Sequence, residues 1–383
     1  MLLLRSPLVC AVLLAVPIVP ACMWDRDTLT REAKAMPDVI QVATGRFERN
    51  PPLYYQMRIG RESAELKSHP DHLDLYDDIS VAYSRIGNDD KAIYTIERKR
   101  VRMGDMSKAR TIGGKRDAFS EAAYRYYANA GTFWIVRWMR HGARRADIQQ
   151  AVHSRDLIAR AIEINPDAHF GREVVQLKLT DWLIGGRADS LSSYLGGGMD
   201  GSSKEEVKRN TQGLIGLVVL GALWESPDAF DALAGLIEAH YHNLNRLAYF
   251  VLQREKELVA SGHKLLVENE DNIMYERPDF HDRDKIQSEF RRLRLDADQW
   301  LSERTAFMVS RLKEGRHPDT DPHFWDGYVA RPDPRIEYSF FEELDPYDLI
   351  LPAIVGCCSS PFIVFGIWIL IRGRIRKARR ASN

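Results

Sequence analysis

Residues 74–98 read DLYDDISVAYSRIGNDDKAIYTIER. Tyr76, Ile79, Val81, Ala82 and Tyr83 recur at the helical period, Gly87-Asn88 interrupts them, and Ala92, Tyr94 and Ile96 resume it. A glycine followed by asparagine ends one helix and starts the next, so this stretch predicts a helical hairpin. The same spacing of three and four continues through most of residues 28–314, with long polar helix formers between the apolar positions and few alternating segments. The predicted fold class is therefore all-α. The chain has 383 residues, 45% hydrophobic and 28% charged, which excludes a wholly disordered chain and a multi-spanning membrane protein alike. Lys plus Arg and Asp plus Glu are 54 each, so no global charge recommends a nucleic acid as partner.

The hairpin resembles a tetratricopeptide repeat. Aromatic Tyr76, then Ile79, Tyr83, turn residue Gly87, small Ala92 and apolar Ile96 sit at that motif's spacing. Residues 161–167, Ala-Ile-Glu-Ile-Asn-Pro-Asp, look like the end of a second repeat, with Ile158 and Ser154 one and two turns earlier. The likeness spans about residues 62–183. It departs from the motif at Ser80, where glycine or alanine is usual, at Gly104, where proline would close the unit, and over residues 103–142, which break the 34-residue period. The resemblance implies a short solenoid over residues 28–225 whose concave side binds a protein segment. Tyr124, Tyr127, Trp134 and Trp138, in an aromatic-rich stretch with Tyr126 and Phe133, are the candidate binding-surface residues. At helical spacing the same aromatics also suit a core.

Leu214 to Trp224 is an apolar run too short to span a membrane and reads as a buried helix. Ser226-Pro227-Asp228 is a strong helix start. An apolar stripe from Phe230 to Leu258, then a charged helix near Asp284 to Glu314, predict a long antiparallel hairpin over residues 226–314. Five prolines between Gly315 and Asp348 suggest a juxtamembrane linker over 315–348.

The two ends carry a membrane address. Residues 1–21 have one basic residue, Arg5, and a short apolar run, the layout of a secretory signal. Val19-Pro20-Ala21-Cys22 resembles the lipobox of bacterial lipoproteins, which makes Cys22 a lipidation candidate; ordinary cleavage and an uncleaved anchor stay open. Leu349 to Ile371 is 23 uncharged residues, about 34 Å as a helix, enough to cross a hydrocarbon core. Six basic residues in 372–383 place that tail in the cytoplasm by the positive-inside rule, and the body outside. Setting aside the seven basic residues of the two ends leaves 47 against 54 acidic ones, so the body is mildly acidic. All four cysteines, at 10, 22, 357 and 358, belong to these end segments, so the body has neither a disulfide nor a thiolate metal cage.

No motif for catalysis stands out. Gly196, Gly198 and Gly201 spell G-x-G-x-x-G, but no strand precedes them, and a flexible loop with a Ser203/Glu206 capping box fits better than a phosphate cradle. His240 and His242 are two apart and diverge on a helix; His69 and His72 flank Pro70 in a loop with Asp71 and Asp74 nearby, a conceivable surface metal site. The expectation is thus a membrane-anchored, exported helical-repeat protein that binds or scaffolds an envelope protein, with no cofactor, metal, catalytic residue or nucleic acid assigned. A solute-binding or enzymatic module with an unidentified pocket is the alternative, since distant residues can converge on a site that spacing does not reveal. The arrangement also resembles uncharacterised bacterial membrane proteins, from which no activity carries over.

Overall fold

The computed structural model describes residues 38–112, 115–166, 172–197, 202–219, 223–240, 244–267 and 282–338. Cys22, the expected span Leu349 to Ile371 and the basic tail lie outside them; among the described residues no helix is long and apolar enough to cross a membrane. Those residues form helices α1 (Asp38–Thr44), α2 (Pro52–Ser68), α3 (Leu73–Arg85), α4 (Asp89–Met103), α5 (Ala118–Arg140), α6 (Gln149–Ile164), α7 (Arg172–Gly185), α8 (Lys204–Val219), α9 (Pro227–His240), α10 (Asn245–Ala260) and α11 (Arg283–Lys313). Extended pairing among them is confined to one bridge, Ile112 with Lys115. The chain is all-α.

Local chemistry sets the boundaries. Gly87 takes φ +80°, and the N–H groups of Asn88 and Gly87 bond back to the carbonyls of Tyr83 (2.9 Å) and Ser84 (3.0 Å), a Schellman ending that needs a left-handed residue. Asn88 then caps α4 by accepting from the Lys91 N–H, so one residue closes a helix and opens the next. Asp117 caps α5 in the same way, through the Ser120 N–H at 2.7 Å, and Ser203 caps α8 through the Glu206 N–H. Pro227 opens α9. Asp228 beside it turns its carboxylate to the Leu266 and Val267 N–H groups and so ties down the chain after α10.

From α2 to α8 each helix packs on its successor, and α3 also touches α5. Ala92, Ile96, Tyr124, Tyr126, Phe133, Ala161 and Ile164 make the core of this array. At the α5–α6 crossing, Ser154 Oγ donates to the Gly131 carbonyl at 2.7 Å, and a Cβ on Gly131 would lie 2.7 Å from the Ile158 side chain. A larger core joins α1 and α7 to α11, with Phe230, Leu233, Ile237, Phe250, Val251 and Phe290 at its centre. Gly196, at φ +90°, belongs to a single wide turn over Ser193–Gly197. A Cβ on Gly197 or Gly235 would meet Ser192 Oγ at 2.3 or 2.0 Å, so these glycines serve close packing.

Two expectations change. The stripe from Phe230 to Leu258 belongs to two helices, α9 and α10, which pack on each other; α11 is a separate strut of about 45 Å that touches α10, α1 and α2. Helix α9 ends at His240 and α10 starts at Asn245, so the expected single helix is two. The second change is in the linker. Its described part, residues 315–338, is folded back onto the body. Phe324 is fully buried with Tyr54, Met308 and Leu312, and His317 stacks on Tyr54 at 4.6 Å. His317 Nε2–H donates to the Tyr54 carbonyl and Nδ1 accepts from the Asp319 N–H, which uses both nitrogens of the neutral ring; burial holds its pKa down. Asp319 accepts from Arg58, Arg61 and the Tyr54 hydroxyl, and those bonds hold its carboxyl well below the usual range.

Candidate binding face of the helical array

Helices α3, α5 and α7 form one row, joined by side chains rather than by backbone. Asn129 Nδ2 on α5 donates to Asp77 Oδ1 on α3 at 3.1 Å, and Arg125 reaches Asp74 at 3.2 Å. Towards α7, the Tyr124 hydroxyl donates to Glu173 Oε1 at 3.0 Å, and Gln176 Nε2 donates to Thr132 Oγ1 at 3.0 Å. Arg125, Asn129 and Thr132 are spaced by four and three, so they form a polar stripe along α5.

Beneath the stripe lies a charged pair. Lys99 on α4 is fully buried, and its Nζ sits 2.5 Å from Asp77 Oδ2. Asp77 thus receives Lys99 on one oxygen and Asn129 on the other. Burial pushes its carboxyl up, against the pull of both partners. Lys99 lies one turn beyond Ile96 and closes over Asp77, which leaves the exposed Asp74, Asp78 and Arg125 to face outward.

At the α2 end of the row the buried Glu62 bonds Arg61 through Oε1 at 2.8 Å, while its Oε2 has no hydrogen-bond partner. Burial, with Asp78 adding to it, raises the Glu62 carboxyl. Arg125 bridges Asp74 and Glu121, and Arg116 holds the other oxygen of Glu121; these bonds lower the Glu121 carboxyl. The face alternates in sign, with fixed inner partners.

The four aromatics predicted from sequence do not gather here. Tyr124 and Trp138 are interior, at 3% and 1% exposure, and Trp138 Nε1–H donates to the Arg144 carbonyl. Tyr127 and Trp134 are half-buried: Tyr127 meets Tyr126 edge-on at 5.1 Å, and Trp134 meets His153 edge-on at 5.3 Å. Aromatic area goes to the seams between helices because burying it is worth most there. The residues that do line the row, Asp74, Asp78, Arg125, Asn129 and Thr132, carry a weaker sequence signal, a polar repeat threaded between the aromatics of α5. Among the described residues no three metal-ligating side chains converge.

No protein-family model, curated protein or solved structure matches the chain. Its own geometry must carry the functional reading.

Proposed function

We propose that the chain is a binding or scaffolding protein whose α3–α5–α7 face receives a segment of another protein, and that it does so outside the cytoplasm, tethered to a bacterial envelope membrane. The observation that carries the reading is the row itself: three helices side by side, with Asn129 and Thr132 fixed from within by Asp77 and Gln176 and the charged Asp74, Asp78 and Arg125 left outward. Such a face is preorganised, so a partner loses little by ordering it. The repeat-like register agrees with this reading. Ser80 and Ala92 are fully buried in the first hairpin, and in the second Ser154 Oγ meets the Gly131 carbonyl, 23 residues apart because α5 is long and a longer connection comes after it. On this reading α4 and α6 are the outer helices of a tetratricopeptide-like array.

The tether rests on Leu349 to Ile371, with the basic tail in the cytoplasm and Cys22 as the site of lipid attachment. The partner is an envelope protein that presents a segment of mixed charge and hydrogen-bonding groups. Photo-crosslinking in cells tests this: a photoreactive residue at Thr132 should give a heterologous adduct that is lost with Arg125→Glu. An adduct from the outer-facing Tyr94 but none from Thr132 would count against the face.

A further inference from the structure

Residues 329–337 have no regular secondary structure, yet the segment 331–338 is gripped along its main chain. Arg46 Nη2 donates to the carbonyls of Arg331 and Pro332, both at 2.9 Å, and Arg292 Nη2 donates to the carbonyl of Arg335 at 2.6 Å. Glu289 Oε1 accepts from the Glu337 N–H at 2.8 Å. Arg46 and Glu289 are almost wholly buried, at 7% and 6% exposure, so two interior charges are turned on the backbone of a coil. Side chains alternate along it: Pro334, Ile336 and Tyr338 are half-buried, whereas Asp333, Arg335 and Glu337 are exposed. Ile336 and Tyr338 rest on the main core. Main-chain bonds together with every second side chain are how an extended peptide is recognised.

The gripping residues are paired without the segment. Arg46 Nη1 lies 2.5 Å from Asp296, and Arg292 bonds Glu289 at 2.8 Å. Lifting residues 330–338 away leaves neither buried charge alone. The fit is also incomplete at one end, where a cavity of about 560 Å³ opens between Ala330 to Asp333 and Val42, Phe47, Val219 and Trp300. Ala330, a small and exposed residue, lines this space, whose walls set the apolar Val42, Phe47, Val219 and Trp300 beside the polar Gln41, Arg46 and Glu48.

We propose that Arg46, Glu289, Arg292 and Trp300 form a dock for an extended peptide, that residues 330–338 occupy it in cis, and that a partner peptide with a large apolar side chain in the place of Ala330 competes for it. The dock lies apart from the α3–α5–α7 face and does not depend on that reading. A segment of the same chain holds the site at an effective concentration near millimolar. A competitor must therefore bind better, and a leucine-sized group laid on the apolar wall of Val42, Phe47 and Val219 supplies roughly tenfold. Arg46, which pairs with Asp333 at 3.0 Å, would favour a competitor that keeps an acidic residue three positions after its large one, as Asp333 stands after Ala330.

Hydrogen exchange on the full chain in detergent decides the matter. A peptide with the sequence of residues 328–338 but leucine at position 330, added at millimolar concentration, should speed exchange of the Arg335 to Tyr338 amides at least fivefold and leave α11 unchanged. A scrambled peptide should do nothing. In a second arm, Ala330→Leu in the full chain should slow the same amides by a similar factor, because the cis segment then packs on the apolar wall of the cavity. No acceleration by the peptide, equal acceleration by the scrambled one, or α11 opening in step with the segment would each overturn the proposal, as would faster exchange in the substituted chain.

Discussion

Two buried ion pairs hold this molecule in different ways. Lys99 and Asp77 are 22 residues apart, on consecutive helices of one hairpin, and Asn129 completes their shell. Arg46 and Asp296 are 250 residues apart and join α11 to the loop after α1, in a cluster with Arg331 and Asp333. The first pair is enclosed by packing that cannot open without parting the hairpin. The second has spare partners and one side open to solvent. A buried charge costs most when it has a single counter-charge, so the two should respond unequally to the same kind of damage.

The sharpest break is Lys99→Met. It leaves Asp77 buried without its counter-charge and should cost about 3–5 kcal/mol in urea unfolding, with hydrogen exchange rising across α3 to α6. Pairing it with Asp77→Leu should recover much of that loss, because removing both charges strands neither. Gly131→Ala comes next. Its Cβ would press on Ile158 at 2.7 Å and on the Ser154 carbonyl at 3.1 Å, and overpacking of this kind costs about 1–3 kcal/mol by the same assay.

Arg46→Gln removes the other half of the comparison. Asp296 keeps Arg331 at 2.7 Å, so the loss should stay near about 1.5 kcal/mol and faster exchange should be confined to residues 331–338. A loss as large as that from Lys99→Met would show that the two pairs are equivalent after all. The smallest effect belongs to Glu62→Gln. The folded state raises this carboxyl, so the ionised form weakens the fold above its folded pKa and the penalty fades as pH falls towards the usual carboxylate range. Thermal melts should show Glu62→Gln above the parent by a degree or two at pH 7.5 and level with it near pH 4.

The helices of the first hairpin were legible because their signals are local. Gly87 must take a left-handed φ, Asn88 caps the second helix, and Tyr76, Ile79, Ala92 and Ile96 mark the buried faces. The candidate face is legible only in outline: the periodicity marks α5, but its aromatics are the stronger signal and mark the side that packs inward, whereas the Arg125, Asn129, Thr132 stripe has no signal beyond polarity. The seat of residues 315–338 is not legible, because prolines report a broken helix and nothing about whether the broken chain lies against the body. Phe324 and His317 could have hinted that it does.

By itself the sequence determined the class of the fold, the punctuation of most helices and the absence of cysteine from the body, since each of these depends on neighbours within a few turns. The tertiary structure alone decided that α9 and α10 pair with each other, that α11 reaches back to α2, and that Arg46 meets Asp296 across 250 residues. The reason is physical: with 54 basic and 54 acidic side chains in the chain, almost any pairing is chemically acceptable, and only the packed backbone selects which charges come within reach.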